Sequence, residues 1–400
     1  MVAAAPVAGV APRRISILGA TGSIGQSTLS VLREAGPAYE VEAVTANTDV
    51  QALARVVRET GARFAAVAAP GAYLELKDTL AGMAVEVAAG TDAIVEAARR
   101  PADITVAAIV GAAGLAPTHA ALVTGATVAL ATKECMVSAG DLFRDTAHRA
   151  GTRLLPVDSE HNAIFQLLEG HDIGDIERIV LTASGGPFRR HSPAQMADVR
   201  PEDALRHPRW SMGAKISIDS ATMMNKGLEI IEAFHLFDVG PEQLGAIVHP
   251  ESIVHGLIEL VDGTQLAALG ATDMRLPISH CLSWPDRVAT PLRRLDLAEI
   301  GQLTFEPLDI ARFPAFGLAT QALDAGGWAT NILNAANEMA VAAFLDEGLA
   351  FPDIAGVVGD VLDSAESGLR TPTTIGEALD LDRYGRELAR RTIEIRTNRQ

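Results

Sequence analysis

Cysteine, aromatic residues, long apolar runs and positive charge are all scarce in this chain of 400 residues. The two cysteines, Cys135 and Cys281, provide no disulfide framework and are typical of a reducing compartment. No apolar run reaches the ~18 residues that a transmembrane helix needs. Acidic residues outnumber basic ones, and the net charge of −17 disfavours nucleic acid or an anionic membrane as the main partner. These absences predict a cytoplasmic protein.

The composition is otherwise that of a globular protein, with 48% hydrophobic and 21% charged residues. Its length predicts two or three domains with ample core. The segment Met1–Pro12 is small and apolar, and no basic residue precedes it. It fits neither a signal peptide nor a transit peptide, so we expect a loose tail there.

A glycine-rich turn, Gly19–Gly25, follows a predicted strand over Arg13–Leu18 and precedes an amphipathic helix. This order forms a cradle of backbone N–H groups that suits a pyrophosphate, although an ordinary tight turn is the alternative. The second predicted strand, Val41–Thr45, ends in Ala46-Asn47-Thr48. The acid that usually holds the ribose of NAD is missing from these three residues, which favours NADP, but the nearby Asp49 leaves the inference open.

Strands and helices continue to alternate up to Val157, which predicts a doubly wound parallel sheet. Further strands are expected near Phe64–Val67, Ala84–Val87, Ile104–Ile109 and Val128–Ala131, with helices near Val50–Thr60, Asp92–Arg99 and Pro117–Thr124. Ligands of such sheets bind beyond the carboxyl ends of the strands. Thr132-Lys133-Glu134 occupies one such end, so we expect Lys133 to contribute to a cleft, with an ordinary surface lysine as the alternative.

The strand Leu154–Val157 ends abruptly in Asp158-Ser159-Glu160. Asp158 and Glu160 are two residues apart, so in an extended chain they would face the same way. Their carboxylates are hard oxygen donors that suit Mg²⁺ or Mn²⁺. The alternative is that Asp158 or Ser159 caps a helix over Asn162–Leu168.

Two loops in the second half have compositions that suit ligand binding. A strand over Glu177–Leu181 leads to Ser184-Gly185-Gly186, where glycines permit close approach of a ligand, although a plain turn explains this segment equally well. His207–Gly213 places Trp210 and a methionine between proline and glycine, which suggests a lid; a packed surface tryptophan is the alternative.

A helix is expected from Asp219 or Ser220, as the cap, to about Phe237. Its polar stripe would begin at the helix N-terminus, where anions bind, so Ser220, Asn225 and Lys226 could hold a phosphate. Glu229, one turn further on, could be a third metal carboxylate. The alternative is a solvated face with a Lys226–Glu229 pair that contributes only ~0.3 kcal/mol.

Strands are then expected over Gln243–His249, Ile253–Leu260 and Gln265–Leu269, followed by a short helix over Asp273–Cys281. Four segments of helical periodicity predict a C-terminal bundle: Phe316–Ala325, Thr330–Leu345, Asp353–Ser364 and Ile375–Arg396. Asn331, Asn334 and Asn337 recur every three residues, and we interpret them as polar seams of that bundle.

The motifs together resemble the 1-deoxy-D-xylulose 5-phosphate reductoisomerase family over nearly the whole chain, from about Arg13 to about Arg396. The motifs are Gly19–Gly25, Ala131–Glu134, Val157–His161, Ser184–Phe188, His207–Gly213, Ser217–Glu232 and Leu333–Leu345. The resemblance implies NADPH- and metal-dependent rearrangement and reduction of a phosphorylated ketose to 2-C-methyl-D-erythritol 4-phosphate, in isoprenoid precursor biosynthesis. It also implies a homodimer.

The implied architecture is α/β, with a Rossmann-like NADPH-binding domain over 1–157 and a catalytic domain over 158–285. The catalytic domain would contain a mainly antiparallel sheet and a flexible loop. A linker over 286–314 and a C-terminal α-helical domain over 315–400 would follow.

The resemblance also assigns roles to individual residues. The cofactor would contact Thr21, Gly22, Ser23, Ile24, Ala46, Asn47, Thr48, Thr132, Glu134 and Gly213. The metal ligands would be Asp158, Glu160 and Glu229. The substrate would contact Lys133, Ser159, Glu160, Ser184, His207, Trp210, Ser220, Asn225, Lys226 and Glu229. The catalytic residues would be Lys133, Asp158, Glu160, His207 and Glu229.

Two positions depart from the family pattern on the cofactor side: Thr48 replaces a common lysine, and Thr132 replaces a common asparagine. The 2′-phosphate of NADPH is therefore less well explained than the chemistry. Two alternatives remain open. One is another NADP-dependent dehydrogenase of a phosphorylated substrate, and the other is a non-enzymatic NADPH sensor.

Overall fold

A computed structural model describes residues 11–210 and 212–398, so most of the expected tail Met1–Pro12 lies outside the described residues. The chain folds into two compact units. Among the described residues, unit 1 comprises 11–135, 143–162 and 273–293, and unit 2 comprises 136–142, 163–210, 212–272 and 294–398. No helix in the described ranges has both the length and the apolarity to cross a membrane.

Strands and helices alternate through the first part of the chain. In order, they are β1 (Arg13–Leu18), α1 (Ser23–Ala35), β2 (Tyr39–Ala46), α2 (Val50–Thr60), β3 (Phe64–Val67), α3 (Tyr73–Thr79), β4 (Glu86–Ala89), α4 (Thr91–Arg99), β5 (Ile104–Ala107), α5 (Leu115–Val123), β6 (Thr127–Leu130), α6 (Lys133–Ala150), β7 (Leu154–Pro156) and α7 (Ser159–Leu168). The strands form one parallel sheet in unit 1, ordered β4-β3-β2-β1-β5-β6-β7. The predicted doubly wound parallel sheet is therefore confirmed.

The remaining elements begin with the second sheet and end with the helical bundle. They are β8 (Ile176–Ala183), α8 (Pro193–Ala197), α9 (Pro201–Ala204), α10 (Ala214–Thr222), α11 (Met224–Leu236), β9 (Leu244–Val248), β10 (Val254–Leu260), β11 (Gln265–Leu269), α12 (Arg275–Ser283), α13 (Leu297–Ile300), α14 (Pro314–Ala325), α15 (Gly327–Leu345), α16 (Asp353–Ser364) and α17 (Ile375–Thr397). The sheet order is β11-β10-β8-β9, and only β8 and β9 pair in parallel. The mainly antiparallel sheet and the C-terminal helices are thus as predicted.

The expected single helix from Asp219 or Ser220 to Phe237 was wrong. Met223 has a left-handed conformation, with φ of 64°, and separates α10 from α11. Asp219 and Ser220 therefore lie inside α10 and cap nothing. The break follows from tertiary packing, because the Met223 side chain is buried and a non-glycine residue needs such compensation to hold this conformation.

The expected extended conformation at Asp158–Glu160 was also wrong. Helix α7 begins at Ser159, three residues earlier than predicted, so Glu160 lies in its first turn. The Asp158 carboxylate accepts a hydrogen bond from the Glu160 N–H at 3.2 Å, and its carbonyl accepts from the Asn162 N–H. Asp158 therefore caps the helix, as the alternative interpretation held.

Helix α6 is irregular at Ala139, whose φ and ψ of −156° and 36° are non-helical. Asn331 of α15 donates from its amide to the Ser138 carbonyl at 2.9 Å and to the Ala378 carbonyl at 3.1 Å. Asn331, Asn334 and Asn337 are all fully buried. A buried amide is costly without a hydrogen bond. Asn331 joins α15 to α6 and α17, Asn337 joins α15 to α10, and Asn334 donates to Glu338 within α15 itself.

Candidate active site

Two positions in the segment that joins β1 to α1 have room only for glycine. Gly19 has φ of +84°, and a Cβ there would lie 2.6 Å from the carbonyl oxygen of Ala108. A Cβ on Gly25 would lie 2.5 Å from the carbonyl oxygens of Gly19 and Ala20. Gly22 immediately precedes α1, and it has no side chain that could cap the free N–H groups of the helix. The turn therefore leaves the helix N-terminus open to an anion, which fits the predicted pyrophosphate cradle.

The end of β2 has no positive charge nearby in the sequence. Asn47, Thr48 and Asp49 are exposed, and no Lys or Arg occurs from Val41 to Ala54. The Asp49 carboxylate accepts a hydrogen bond from the Ala52 N–H at 2.8 Å and so caps α2. One oxygen of the Asp49 carboxylate is therefore engaged by the helix, while the preference for NADP stays a prediction.

Three consecutive polar residues at the end of β6 are almost fully buried. Thr132, Lys133 and Glu134 have exposed fractions of 2%, 8% and 4%. The Thr132 hydroxyl donates to the Glu134 carboxylate at 3.0 Å, and the Lys133 ammonium donates to the Asp158 carboxylate at 2.8 Å. The surface-lysine alternative for Lys133 is therefore wrong. A buried charge is costly without a partner, so this arrangement indicates a pre-formed polar site.

The end of β7 supplies the other half of the ion pair. Asp158 accepts from Lys133 while also capping α7, and the Ser159 hydroxyl donates to the Glu160 carboxylate. Behind them, the Asn162 amide and the Cys281 thiol both donate to the Pro156 carbonyl, at 2.9 and 3.2 Å. Burial raises the pKa of Cys281, so the thiol stays protonated and can make this contact. These two bonds anchor the end of β7, which directly precedes Asp158.

In unit 2, the turn after β8 lies directly against α10. Gly185 and Gly186 have φ of +82° and +67°, and a Cβ on Gly186 would lie 2.7 Å from the Ser220 carbonyl oxygen. The Ser184 hydroxyl oxygen accepts from the Gly186 N–H at 3.2 Å. The packing thus brings the turn that carries Ser184 against the backbone of Ser220, a residue far away in the sequence.

Helix α11 presents a buried polar group in its first two turns. The Asn225 amide and the Lys226 ammonium both donate to the Glu229 carboxylate. Lys226 and Glu229 are 3% and 1% exposed, so the solvated-pair alternative is wrong. Gly227 has a packing reason, since a Cβ there would lie 2.5 Å from the Cβ of Ala319 on α14. Because α11 begins at Met224, Asn225 and Lys226 lie at a helix N-terminus, where an anion is favoured.

The side chain of His207 contacts the backbone of Trp210, and both residues belong to the predicted loop. The Nδ1 of His207 accepts from the Trp210 N–H at 2.9 Å and from the Arg209 N–H at 3.2 Å. Its Nε2 lies 2.9 Å from the Ser184 hydroxyl. Burial lowers the pKa of His207 to about 4, so the ring is neutral at neutral pH. Gly213, at the end of the loop, is exposed and precedes α10.

Sequence reasoning assigned Asp219 to a helix cap and missed its contacts. The carboxylate is buried and accepts from the Lys215 ammonium at 2.9 Å and from the Asn337 amide at 2.7 Å. The Lys215–Asp219 spacing of four residues is a helical ion-pair signal that could have been found. The Asn337 contact could not, because α15 is more than a hundred residues away.

Models of the 1-deoxy-D-xylulose 5-phosphate reductoisomerase family match most of the chain. The general model matches residues 15–140, and two models of the C-terminal domain match residues 154–237 and 269–388. The reductoisomerase of Zymomonas mobilis is 52% identical over 375 residues, covering 94% of this chain and 96% of that protein. That of Afipia carboxidovorans is 53% identical over 379 residues, covering 94% and 93%.

This chain belongs to the 1-deoxy-D-xylulose 5-phosphate reductoisomerase family.

Solved structures of the family have the same fold. The Zymomonas mobilis reductoisomerase in complex with NADPH superimposes with a TM-score of 0.91, at 50% identity, covering 96% of this chain and 99% of that one. A reductoisomerase in complex with NADPH, fosmidomycin and magnesium gives a TM-score of 0.91 at 40% identity, covering 96% and 98%. The agreement extends over both units of the chain.

Proposed function

We propose that this protein performs the family reaction through the residues described above. It rearranges 1-deoxy-D-xylulose 5-phosphate and reduces the product to 2-C-methyl-D-erythritol 4-phosphate, with NADPH and a divalent metal. The observation that carries the assignment of residues is a pair of buried lysine–carboxylate contacts, Lys133–Asp158 and Lys226–Glu229. A chain that merely sensed NADPH would have no need to bury these charges.

The described residues fit the pyrophosphate of NADPH well and its adenosine ribose less specifically. The glycine turn suits the pyrophosphate, with Thr21, Gly22, Ser23 and Ile24 around it. Ala46, Asn47 and Thr48 would lie beside the adenosine ribose, and they provide polar groups without a cation. Thr132, Glu134 and Gly213 would lie on the nicotinamide side.

We assign the divalent ion to the carboxylates of Asp158, Glu160 and Glu229. Three carboxylates supply the hard, negatively charged donors that Mg²⁺ and Mn²⁺ require, and the chain offers both ions the same donor set. Their present hydrogen-bond donors, Lys133, Ser159, Asn225 and Lys226, are the groups we assign to the substrate's oxygens. Binding of metal and substrate would then exchange one set of charge contacts for another.

The phosphate of the substrate is assigned to Ser184, Ser220, Asn225 and Lys226. These residues combine two hydroxyls, an amide and an ammonium near the N-terminus of α11, and such a set favours a dianion. The phosphate is remote from the carbons that react. Its binding energy can therefore be used to close the loop of His207 and Trp210 over the substrate.

When bound, NADPH supplies a hydride, and the divalent ion supplies positive charge beside the substrate's oxygens. Lys133, buried at the end of β6, donates hydrogen bonds to an oxygen that becomes negative during rearrangement. Because Lys133 is buried, these bonds are stronger than they would be in water. The loop of His207 and Trp210 excludes water and so protects the aldehyde until it is reduced.

We further propose a cytoplasmic homodimer with the second sheet at its interface. Strand β11 forms one edge of that sheet. Exposed apolar side chains lie next to it or in the segment after α12: Val261, Leu269, Leu297, Phe305 and Ile310. An unpaired strand edge with apolar residues is a surface that pairs readily with a second copy.

NADPH absorbance with 1-deoxy-D-xylulose 5-phosphate tests this function directly. We expect oxidation that requires both the substrate and Mg²⁺ or Mn²⁺, and that stops on addition of a chelator. Oxidation that survives complete chelation would remove the metal assignment but keep a reductase. No oxidation with either metal, in protein shown to bind NADPH, would overturn the reductoisomerase assignment.

A further inference from the structure

The imidazole of His207 connects two loops, and its contacts determine which nitrogen carries the proton. On one side, Nδ1 lies 2.9 Å from the Trp210 nitrogen and 3.2 Å from the Arg209 nitrogen. Both of these backbone groups are N–H donors, so Nδ1 must be an acceptor. A neutral imidazole has one donor and one acceptor, and the proton therefore resides on Nε2.

The position of that proton determines what Ser184 can do. The Nε2–H of His207 donates to the Ser184 oxygen at 2.9 Å, and the Gly186 N–H donates to the same oxygen at 3.2 Å. A serine hydroxyl has two lone pairs and one proton. With both lone pairs of Ser184 engaged, the hydroxyl can make one further hydrogen bond, as an O–H donor. Such a donor can bind a phosphate oxygen, but it cannot bind a cation or accept from another donor.

We propose that His207 is a positioning residue: in its Nε2–H tautomer, fixed by the N–H groups of Arg209 and Trp210, it holds the Ser184 hydroxyl as a donor to the substrate's phosphate. This inference rests on the proposed function, since it assigns Ser184 to that phosphate. It also links the two loops, because the ring that accepts from the backbone of Arg209 and Trp210 is the one that contacts Ser184. Burial of the ring lowers the pKa of His207 to about 4, so the imidazole is neutral at neutral pH and has only one N–H group.

Two substitutions of His207 distinguish the contact made by Nδ1 from the contact made by Nε2. The amide of His207→Asn reaches the position of Nδ1 and can still accept from the loop, but it leaves Ser184 without its donor. The amide of His207→Gln reaches the position of Nε2 and can still donate to Ser184. His171→Asn, at an exposed histidine, is the matched control.

We expect His207→Asn to raise the KM for 1-deoxy-D-xylulose 5-phosphate roughly 10- to 100-fold, because a hydrogen bond to a charged phosphate is misdirected. The inhibition constant of inorganic phosphate should rise in parallel, while the Kd of NADPH stays constant. His207→Gln should recover much of the loss. Ser184→Ala should match His207→Asn, and the double variant should be no worse than either single one.

Additive effects in the double variant would contradict the proposal and indicate that His207 contacts the phosphate independently. Equal loss in His207→Asn and His207→Gln would also overturn it. Thermal unfolding of each variant shows whether a loss of fold accounts for the kinetics.

Nitrogen-15 NMR of the ligand-free wild type, with labelled histidine, measures the tautomer of His207 directly. The His207 signal, identified by its absence from the His207→Asn spectrum, should show an unprotonated Nδ1 and a protonated Nε2. The opposite pattern would refute the inference. This result is independent of turnover, so it is distinguishable from a failure of the proposed function.

Discussion

At the residue scale, Asp158 has two tasks that a single substitution can separate. Its carboxylate caps α7 and accepts from the Lys133 ammonium. An asparagine has the same shape and can still cap the helix, but it lacks the charge that a lysine and a divalent ion both require. The helix cap is therefore retained in Asp158→Asn, and any loss of activity measures the contribution of the carboxylate's negative charge.

We expect Asp158→Asn to lower kcat by at least ~10²-fold, as loss of a metal ligand implies. Steady-state kinetics at saturating Mg²⁺ measure the effect, and the Kd of NADPH should not change. Asp172→Asn, at an exposed carboxylate, is the control and should leave kcat intact. Turnover like that of the wild type in Asp158→Asn would contradict the metal assignment.

Lys226→Met retains most of the side-chain volume but removes the ammonium that contacts Glu229. We expect the KM for 1-deoxy-D-xylulose 5-phosphate to rise roughly tenfold or more, because a charge-assisted contact to the phosphate is lost. The KM for NADPH should change much less. Lys77→Met, at an exposed lysine, is the matched control. Equal changes in both KM values would remove Lys226 from the phosphate site.

His207 also predicts a pH dependence of stability. Its pKa is lowered by burial to about 4 in the folded protein, against an ordinary value of 6.5. The unfolded chain therefore binds the proton more readily, and the contribution of His207 to stability is complete above pH 6.5 and is lost as the pH falls towards 4.

We accordingly expect the free energy of unfolding to fall between pH 7 and pH 5 by less in His207→Asn than in the wild type. Urea unfolding at the two pH values measures this difference. His171→Asn should behave like the wild type, and an identical fall in all three proteins would show that His207 is not protected from protonation.

At the scale of elements, the turn after β8 shows how packing determines which loops can bind a ligand. From its sequence alone, Ser184-Gly185-Gly186 could have been an ordinary turn. The structure places Gly186 against the Ser220 carbonyl, where a side chain has no room. The turn therefore aligns Ser184 with α10, and its glycines serve this close contact as well as the backbone conformation.

Gly186→Ala tests that alignment. The new Cβ would lie 2.7 Å from the Ser220 carbonyl oxygen in a residue with φ of +67°, so the turn must move away from α10. We expect a higher KM for the phosphorylated substrate and a destabilisation of about 1–3 kcal/mol, measured by kinetics and urea unfolding. Gly71→Ala, where no atom lies within 4 Å of the new Cβ, should change neither. Unchanged kinetics in Gly186→Ala would refute the alignment.

At the scale of the whole molecule, a net charge of −17 surrounds a site that we assign to anionic ligands. Buried lysines at the two clusters provide local positive charge, and the proposed metal adds more. The same net charge makes two copies repel each other, so a homodimer must depend on apolar contacts and strand pairing.

We expect the wild type to sediment as a dimer and Leu269→Lys to weaken that dimer at least about tenfold, because a charge is added at an apolar strand edge. Leu269 is 40% exposed at the end of β11. Leu74→Lys, at a leucine that is 68% exposed in unit 1, is the control. A dimer that tolerates Leu269→Lys but not Leu74→Lys would place the interface elsewhere.

The sequence by itself determined the features that depend on neighbours in the chain. Alternating apolar segments predicted the parallel sheet, and helical periodicity located α14 to α17 to within a few residues. The glycine spacing after β1 and the polar residues after β6 and β7 were also visible, because strand ends are marked by an abrupt change from apolar to polar residues.

Only the tertiary structure decided burial, backbone breaks and the contacts between loops. The Lys226–Glu229 pair could have been a solvated pair, and the chain could have continued as one helix through Met223. The Ser184 hydroxyl contacts His207, a residue of another loop. Each of these outcomes is set by contacts between distant segments, whose energies exceed the local preferences that a sequence pattern reports.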